Sequence, residues 1–241
     1  MKDYKCFQED YYEEEWSKLQ LSDKPEATGW RTSVSAPDFF DFVNWLKKEK
    51  ISGNALDIGC GGGRHAIVLA KEGFEVYGID FSKSAIEVAK NNAEKASVGK
   101  KTFFQVGDAL NLPYNSNFFD VINDDGCLHH ISKDDWRKYL QNITRVLKKG
   151  GILRVKAFSK NCNFYEENKP KESKDHWILV PNKDYTYFFD KKEMSGLFEN
   201  DFETFKIEEK YHPVTKEKKF FFVVLKKKYG STLHSCFFSC E

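Results

Sequence analysis

The chain has 241 residues and carries 38 lysines and arginines against 37 aspartates and glutamates. A chain of this length accommodates one α/β domain with a hydrophobic core of ordinary size. The near balance of charge gives no general electrostatic attraction to nucleic acid or to an acidic membrane, so we expect neither as a partner.

The cysteines and the apolar runs exclude further classes of protein. The six cysteines form no CxxC pair, and no Cys/His set has zinc spacing, so we expect reduced thiols and no bound metal. No apolar run approaches the roughly 18 residues of a membrane span. The stretch MKDYKCFQEDYYEEEW lacks the apolar core of a signal peptide, which predicts a cytoplasmic protein. The cysteines are Cys6, Cys60, Cys127, Cys162, Cys236 and Cys240.

Strand and helix patterns alternate along the first two thirds of the chain. Apolar residues at helical spacing predict a helix in SAPDFFDFVNWLKKEK, and Pro37 suits its first turn. Short apolar runs predict five buried strands, and helical spacing recurs between them. The predicted strands are NALDI, VYGID, TFFQV, FDVIN and GILRVKAF, and further helices are predicted in RHAIVLAKEGF, near Ser84 and from Trp136.

Local signals predict where two of these helices begin and end. Ser84 and Glu87 form a capping-box pattern, which places a helix start at Ser84. The helix that begins at Trp136 keeps its apolar spacing through Leu147, and Gly150 is expected to stop it.

Alternating strands and helices predict a doubly wound, mostly parallel α/β sheet with helices on both faces. The last two predicted strands, FETFKIEEKYH and KKFFFVVLKKK, are separated by a short turn, and such a connection joins antiparallel strands. We therefore predict a seven-stranded sheet with a C-terminal antiparallel hairpin. A single domain is expected over residues 36–228, with an N-terminal helical lid in 1–35, an insertion near the substrate face in 159–184 and a peripheral tail in 229–241.

The stretch LDIGCGGGRH places four glycines within five positions, between the first predicted strand and its helix. Glycine lets the backbone approach a ligand and adopt positive φ, and the free amides at a helix start favour a negative group. In a doubly wound sheet, ligands bind beyond the carboxyl ends of the strands. The glycines therefore predict a ligand site at this edge.

Two ligands are compatible with the glycines. The sequence GGGRHA fits the loose dinucleotide pattern G-x-G-x-x-A, which would suit a dehydrogenase. Asp80, at the end of the second strand, could hold a pair of ribose hydroxyls in either case. Asp57 argues against a pyrophosphate, because a carboxylate at the lip of the loop repels a diphosphate and suits a ligand with an ammonium group.

Five segments in register resemble the motifs of class I S-adenosylmethionine-dependent methyltransferases. DIGCGGG is similar to their first motif, YGIDFS to the second, and VGDALNLPY to the segment whose acid meets the adenine. FDVINDDGCLHHIS resembles the fourth strand with its loop, and VLKKGGILRV resembles the turn into the fifth strand. The closing hairpin resembles the reversed seventh strand of this family. The resemblance is close over residues 38–158 and extends over about 185–227 by order of elements.

This resemblance implies S-adenosylmethionine as the cofactor. It assigns the glycine backbone to the methionine part, with Asp57 neutralising the ammonium directly or through water. It assigns Asp80 to the ribose hydroxyls, and Asp108 and the amide of Ala109 to the adenine. The residues expected at the cofactor are Asp57, Gly59, Cys60, Gly61, Gly63, Asp80, Phe81, Asp108, Ala109 and Asp124.

The resemblance also implies in-line attack on a methyl group that the positive sulfur activates. Alignment supplies much of the acceleration, and a general base is needed only if the acceptor must lose a proton early. Asp124 is the candidate catalytic residue, because its place faces the methyl group in the resembling fold, and we expect it to position the acceptor. His129 is expected to point into the packing. The other candidates in this loop are Asn123, Asp125 and His130.

The acceptor is expected to be a small molecule. The loop reads NDDG and lacks the Asn/Asp-Pro-Pro-aromatic signature of members that methylate exocyclic or amide nitrogen, and we find no separate RNA-reading domain. An RNA or protein methyltransferase, and a non-catalytic partner protein of the same fold, stay open as alternatives. The aromatic residues that could form a lid are Tyr11, Tyr12, Trp16, Trp30, Phe164, Trp177, Tyr185 and Tyr187.

Overall fold

The computed structural model describes residues 4–20, 35, 37–169, 177–180, 184–211 and 218–230. Several sequence predictions lie outside these described residues. They concern Trp30, the turn around Pro213, residues 231–241 of the predicted tail, and the side chains of Trp177 and Tyr185.

The strands are, in chain order, β1 (Asn54–Ile58), β2 (Glu75–Asp80), β3 (Thr102–Val106), β4 (Phe119–Asp125), β5 (Leu147–Ser159), β6 (Trp177–Val180), β7 (Asp184–Tyr187), β8 (Phe202–Tyr211) and β9 (Lys219–Lys227). Seven of them form one sheet in the order β3-β2-β1-β4-β5-β9-β8, and β6 pairs with β7. The first five strands pair in parallel, whereas β9 runs antiparallel to β5 and to β8. This confirms the predicted doubly wound sheet with its C-terminal antiparallel hairpin.

Helices cover both faces of the sheet. They are α1 (Tyr4–Gln20), α2 (Pro37–Lys48), α3 (Arg64–Lys71), α4 (Lys83–Lys95), α5 (Trp136–Val146), α6 (Asn163–Asn168) and α7 (Lys191–Gly196). The core on one face joins α2, α3 and α4 to the sheet, and the core on the other face joins α5 and α7. The two faces share the strands because successive side chains of a strand point to opposite sides.

Two predicted helix boundaries were wrong. The N-cap of α4 is Ser82, whose Oγ accepts a hydrogen bond from the amide of Ala85 at 3.0 Å, so Ser84 lies inside the first turn. The helix starts as soon as the chain leaves β2, which local pattern alone does not locate.

The second wrong boundary is the end of α5, which lies at Val146 rather than at Gly150. Leu147 already pairs with Phe119 of β4 and is fully buried. The ammonium of Lys148 binds both carboxylate oxygens of Asp120 at 2.8 Å. The residues from Leu147 onward therefore belong to strand β5, although their apolar spacing also fits a continuation of α5.

Lys227 joins the sheet to the end of α5. Its side chain is buried, and its Nζ donates hydrogen bonds to the carbonyl oxygens of Thr144 at 2.6 Å and Leu147 at 2.7 Å. The last carbonyls of a helix lack partners within the helix, and a cation there also complements the helix dipole. This single ammonium therefore binds two backbone carbonyls where α5 meets β5.

We expect Lys227→Met to lower the free energy of unfolding by about 2–3 kcal/mol, because two buried carbonyls lose a charged partner. A matched control is Lys226→Met, whose ammonium lies 5.7 Å from the ring of Phe205. That change should cost less than about 1 kcal/mol. Urea denaturation of both variants measures the difference, and equal losses would contradict the assigned role.

Candidate functional site

The turn between β1 and α3 is built from glycines with positive φ. The φ angles are 62° at Gly59, 51° at Gly61 and 78° at Gly63, in the left-handed region that favours glycine. A Cβ on Gly61 would lie 2.8 Å from the indole of Trp16, and one on Gly59 would lie 3.0 Å from the Cβ of Cys127. Both conformation and close approach therefore require glycine here. We call residues 59–63 the glycine loop.

Asp80 holds the glycine loop from the end of β2. Its Oδ2 accepts a hydrogen bond from the amide of Gly61 at 2.8 Å, and its Oδ1 accepts one from the amide of Ser82 at 2.9 Å. Burial raises the pKa of Asp80 to about 6, although these two amides oppose the shift. Each carboxylate oxygen can accept a second hydrogen bond, so the geometry still allows a pair of hydroxyls to bind.

Asp57 is buried at the end of β1. Its Oδ1 accepts a hydrogen bond from Nδ2 of Asn123 at 2.7 Å, whereas its Oδ2 meets no donor in hydrogen-bond geometry within the described part of the chain. Burial raises the pKa of Asp57 to about 7; Asn123, Arg64 and the nearby amide of Ala66 oppose the shift, and Asp125 adds to it. A buried carboxylate oxygen without a protein donor, beside the glycine loop, suits a ligand that carries an ammonium group.

A network of buried charges extends from Asp57 across the sheet. Arg154 of β5 donates from one guanidinium nitrogen to Oδ1 of Asn123 and to Oδ2 of Asp125, both at 2.8 Å, and from the other to Asp38 at the start of α2. Lys156 lies 3.6 Å from Asp125. Neither Arg154 nor Asp38 was among the site residues predicted from the sequence. The available signal was the pair of charges at alternate positions of the apolar strand GILRVKAF.

Asp125 is the acidic centre of this network. Burial opposes its charge, but Lys156 and the neighbouring arginines hold its pKa well below the usual range. His65 lies 3.7 Å from Asp125, yet burial holds the pKa of this imidazole well below its ordinary value, so we treat it as neutral. Asp125 therefore serves as a structural anion rather than as a proton acceptor.

Asp124, which we expected to face the methyl group and to position the acceptor, is instead surrounded by hydrogen-bond donors of the protein. It faces α5 and is fully buried. Its two oxygens accept hydrogen bonds from the amides of Cys127 and Leu128, at 2.8 to 3.2 Å, and from the hydroxyl of Tyr139 at 2.7 Å. The carboxylate thus supports the loop after β4 from beneath.

The two histidines of this loop differ in their surroundings. His129 is buried, with ring centroids 4.2 Å from His130 and 4.4 Å from Phe158, as expected for a packing residue. Burial holds its pKa well below the ordinary value. The Nε2 of His130 lies 3.0 Å from the hydroxyl of Tyr12 on α1.

The remaining predicted cofactor residues lie around the same edge of the sheet. Asp108 follows β3 in a turn, where its Oδ1 accepts a hydrogen bond from the amide of Leu110 at 2.9 Å, and Ala109 is half-buried beside it. Phe81 follows β2 and is partly exposed. Cys60 is buried in the glycine loop, and burial raises the pKa of its thiol. These positions border one edge, but the acidic turn at Asp108 also has a local structural role.

Helix α1 lies across this edge. The carboxylate of Glu13 accepts hydrogen bonds from the hydroxyls of Ser82 at 2.7 Å and Ser84 at 2.6 Å, at the start of α4. Trp16 is buried against the glycine loop, and the ring of Tyr12 lies 5.7 Å from that of Phe81. The aromatic residues of α1 were predicted as part of a lid, whereas Glu13 was not among the predicted site residues.

Among the described residues, no group of three or more His, Cys, Asp or Glu side chains could hold a metal ion. None of the described helices combines the length and the apolar character that crossing a membrane requires.

Sequence comparison relates the chain to known enzymes. A family model described as "Methyltransferase domain" matches residues 50–218. The chain is 34% identical over 124 residues to norajmaline N-methyltransferase of Rauvolfia serpentina, covering 50% of this chain and 42% of that protein. It is 35% identical over 112 residues to a ubiquinone biosynthesis O-methyltransferase of Coxiella burnetii, covering 46% of each. The matches thus span less than half the length of these curated relatives.

Structural comparison agrees on the fold. The structure of Burkholderia thailandensis 1,6-didemethyltoxoflavin-N1-methyltransferase, with bound 1,6-didemethyltoxoflavin and S-adenosylhomocysteine, superposes with a TM-score of 0.73 at 16% identity. This similarity covers 94% of the present chain and 89% of the other. The family model spans most of the chain, from residue 50 to residue 218, and the sheet has the expected order. The chain therefore belongs to the class I S-adenosylmethionine-dependent methyltransferase family.

Proposed function

We propose that this protein transfers the methyl group of S-adenosylmethionine to a small-molecule acceptor. The observation that carries the proposal is the glycine loop with positive φ, placed between the unpartnered oxygen of Asp57 and the carboxylate of Asp80. A backbone without side chains next to two acids fits a ligand that carries an ammonium group and a ribose.

The residues around the loop suit the parts of this cofactor. Asp80 would accept from the ribose hydroxyls, and Asp57 would neutralise the ammonium, directly or through a water molecule. Asp108 and the amide of Ala109 would bind the adenine, while Cys60 and Phe81 would line the same site. When bound, S-adenosylmethionine supplies a methyl group activated by the positive sulfur.

The protein side chains would act by binding and alignment. Asp124 would hold the loop after β4 in place, because its oxygens are already used by two amides and by Tyr139. This supports a role in holding the loop rather than in proton abstraction. Alignment of an acceptor with an activated methyl group supplies much of the acceleration by itself.

The names of the curated relatives support a small-molecule acceptor. Norajmaline is a small molecule, and so is the ubiquinone precursor implied by the second relative's name. One relative is an N-methyltransferase and the other an O-methyltransferase, so the acceptor atom is not assigned.

We further propose that α1 is the lid of the cofactor site. Trp16 packs on the glycine loop, and Glu13 latches α1 to the start of α4 through Ser82 and Ser84. These hydrogen bonds are charge-assisted and therefore stronger than neutral ones, and segments that cover active sites open and close during turnover.

The cofactor assignment predicts that S-adenosylhomocysteine binds and that nicotinamide dinucleotides do not. Asp80→Asn should weaken S-adenosylhomocysteine binding about tenfold, because hydrogen bonds to a charged group contribute about 1.5–3 kcal/mol each. Calorimetry measures the dissociation constants. Glu75→Ala, at the other end of β2, is the matched control and should leave them unchanged. Tight dinucleotide binding without S-adenosylhomocysteine binding would refute the proposal.

The acceptor assignment predicts where a labelled methyl group goes. The protein is incubated with methyl-labelled S-adenosylmethionine and with a cell extract separated into small-molecule, RNA and protein fractions. The label should enter the small-molecule fraction. Label in RNA or protein would favour those alternatives, and cofactor binding without any transfer would favour a non-catalytic partner protein.

The lid assignment predicts that Glu13→Gln speeds dissociation of S-adenosylhomocysteine by about tenfold, because the latch loses charge-assisted hydrogen bonds. Stopped-flow displacement measures the rate. Glu14→Gln changes an exposed acid of the same helix that pairs with Lys18, and should leave the rate unchanged. Equal rates in both variants would show that α1 does not control access.

A further inference from the structure

Three polar side chains form a row across adjacent strands beneath the glycine loop. Asp57 of β1 is the register partner of Asn123 of β4, and Asn123 is the register partner of Arg154 of β5. Paired residues of neighbouring strands share a face, so their side chains meet. The hydrogen bonds along the row are 2.7 Å from Asn123 to Asp57 and 2.8 Å from Arg154 to Asn123.

We propose that Asn123, held by Arg154, is a positioning residue that leaves one oxygen of Asp57 open for the ammonium group of the cofactor. This inference rests on the proposed function and deepens it. No contact between Asn123 and the cofactor is required, because Asn123 acts through Asp57.

The chemistry of the row fixes which way Asn123 points. A guanidinium group has donors only, so the neighbour of Arg154 must present an acceptor. The side-chain oxygen of Asn123 therefore faces Arg154, and its NH₂ group faces Asp57. Arg154 in turn is held by Asp38 and Asp125, so neither it nor the amide can turn over without losing buried hydrogen bonds.

The same row fixes where a proton on Asp57 would lie. Because Oδ1 accepts from Asn123, a proton would take Oδ2, the oxygen that the ammonium group needs. The other groups that act on Asp57 are Asp125 of β4, Arg64 with the amide of Ala66 on α3, and the thiols of Cys60 and Cys127. Burial raises the pKa of both thiols well above the ordinary value, so they stay neutral in this range. Since burial raises the pKa of Asp57 to about 7, the proton competes with the ammonium below that pH. Affinity for a ligand with an ammonium group should thus rise with pH through this range.

The experiment compares two ligands on the full chain. S-adenosylhomocysteine has the ammonium group, whereas methylthioadenosine has the same adenine and ribose without it. Calorimetry gives both dissociation constants for the parent, Asn123→Leu and Asn123→Asp. Ile122→Val is the matched control, because Ile122 is buried on the opposite face of the same strand.

We expect Asn123→Leu to weaken S-adenosylhomocysteine binding about tenfold and to leave methylthioadenosine binding unchanged. The ratio of the two affinities should rise with pH between about pH 6 and 8 in the parent. Protonation of Asp80 affects both ligands alike and cancels in this ratio. In Asn123→Leu the rise should move to higher pH, because the anion of Asp57 loses a hydrogen bond. In Asn123→Asp it should move in the same direction, because that anion gains a negative neighbour.

Asn123→Asp keeps the volume of the side chain and the bond to Arg154, so it tests the inference even if Asn123→Leu does not fold. Equal weakening of both ligands in a folded variant would mean a purely structural role and overturn the inference. Unchanged S-adenosylhomocysteine binding would overturn it as well. Failure of the parent to bind either ligand would instead refute the proposed function, on which the inference rests.

Discussion

The burial of charge beneath the glycine loop is the constraint on which the site depends. An ion taken out of water destabilises the fold by several kcal/mol unless it is paired and hydrogen-bonded. Arg154 meets this requirement by binding Asn123, Asp125 and Asp38 together. Each of these partners lies on a different part of the chain from Arg154, so the pairing fixes α2 and the two central strands β4 and β5 against one another. Asp57 of β1 is joined to these residues by the hydrogen bond that it accepts from Asn123.

The order of the strands makes this row possible. The strands β1 and β4 are far apart in the chain but neighbours in the sheet, so Asp57, which precedes the glycine loop, meets Asn123 of β4. Successive side chains of a strand point to opposite faces of the sheet, so Asp124 and Asp125 of β4 lie on different faces. Asp125 joins the arginines on one face, and Asp124 turns toward Tyr139 on the other. Two residues of the same type therefore have unrelated roles.

The sequence predicts well what depends on local pattern. Strand and helix alternation predicted the sheet, and the density of glycines predicted the turn with positive φ. What depends on pairing between distant segments was not predictable. The early end of α5 follows from pairing of Leu147 with β4, the satisfied state of Asp124 follows from Tyr139, and the role of Glu13 follows from serines about 70 residues away. A single sequence shows such side chains but not their partners.

Helix α1 has a consequence for the pace of the proposed reaction. It lies on the glycine loop through Trp16 and reaches the loop after β4 through Tyr12. Under the proposed function, a spent cofactor beneath this helix leaves only after the helix detaches. Residence time then depends on a conformational step, and such steps often limit turnover more than the chemistry does. A helix held more loosely would exchange its cofactor faster and retain it less well.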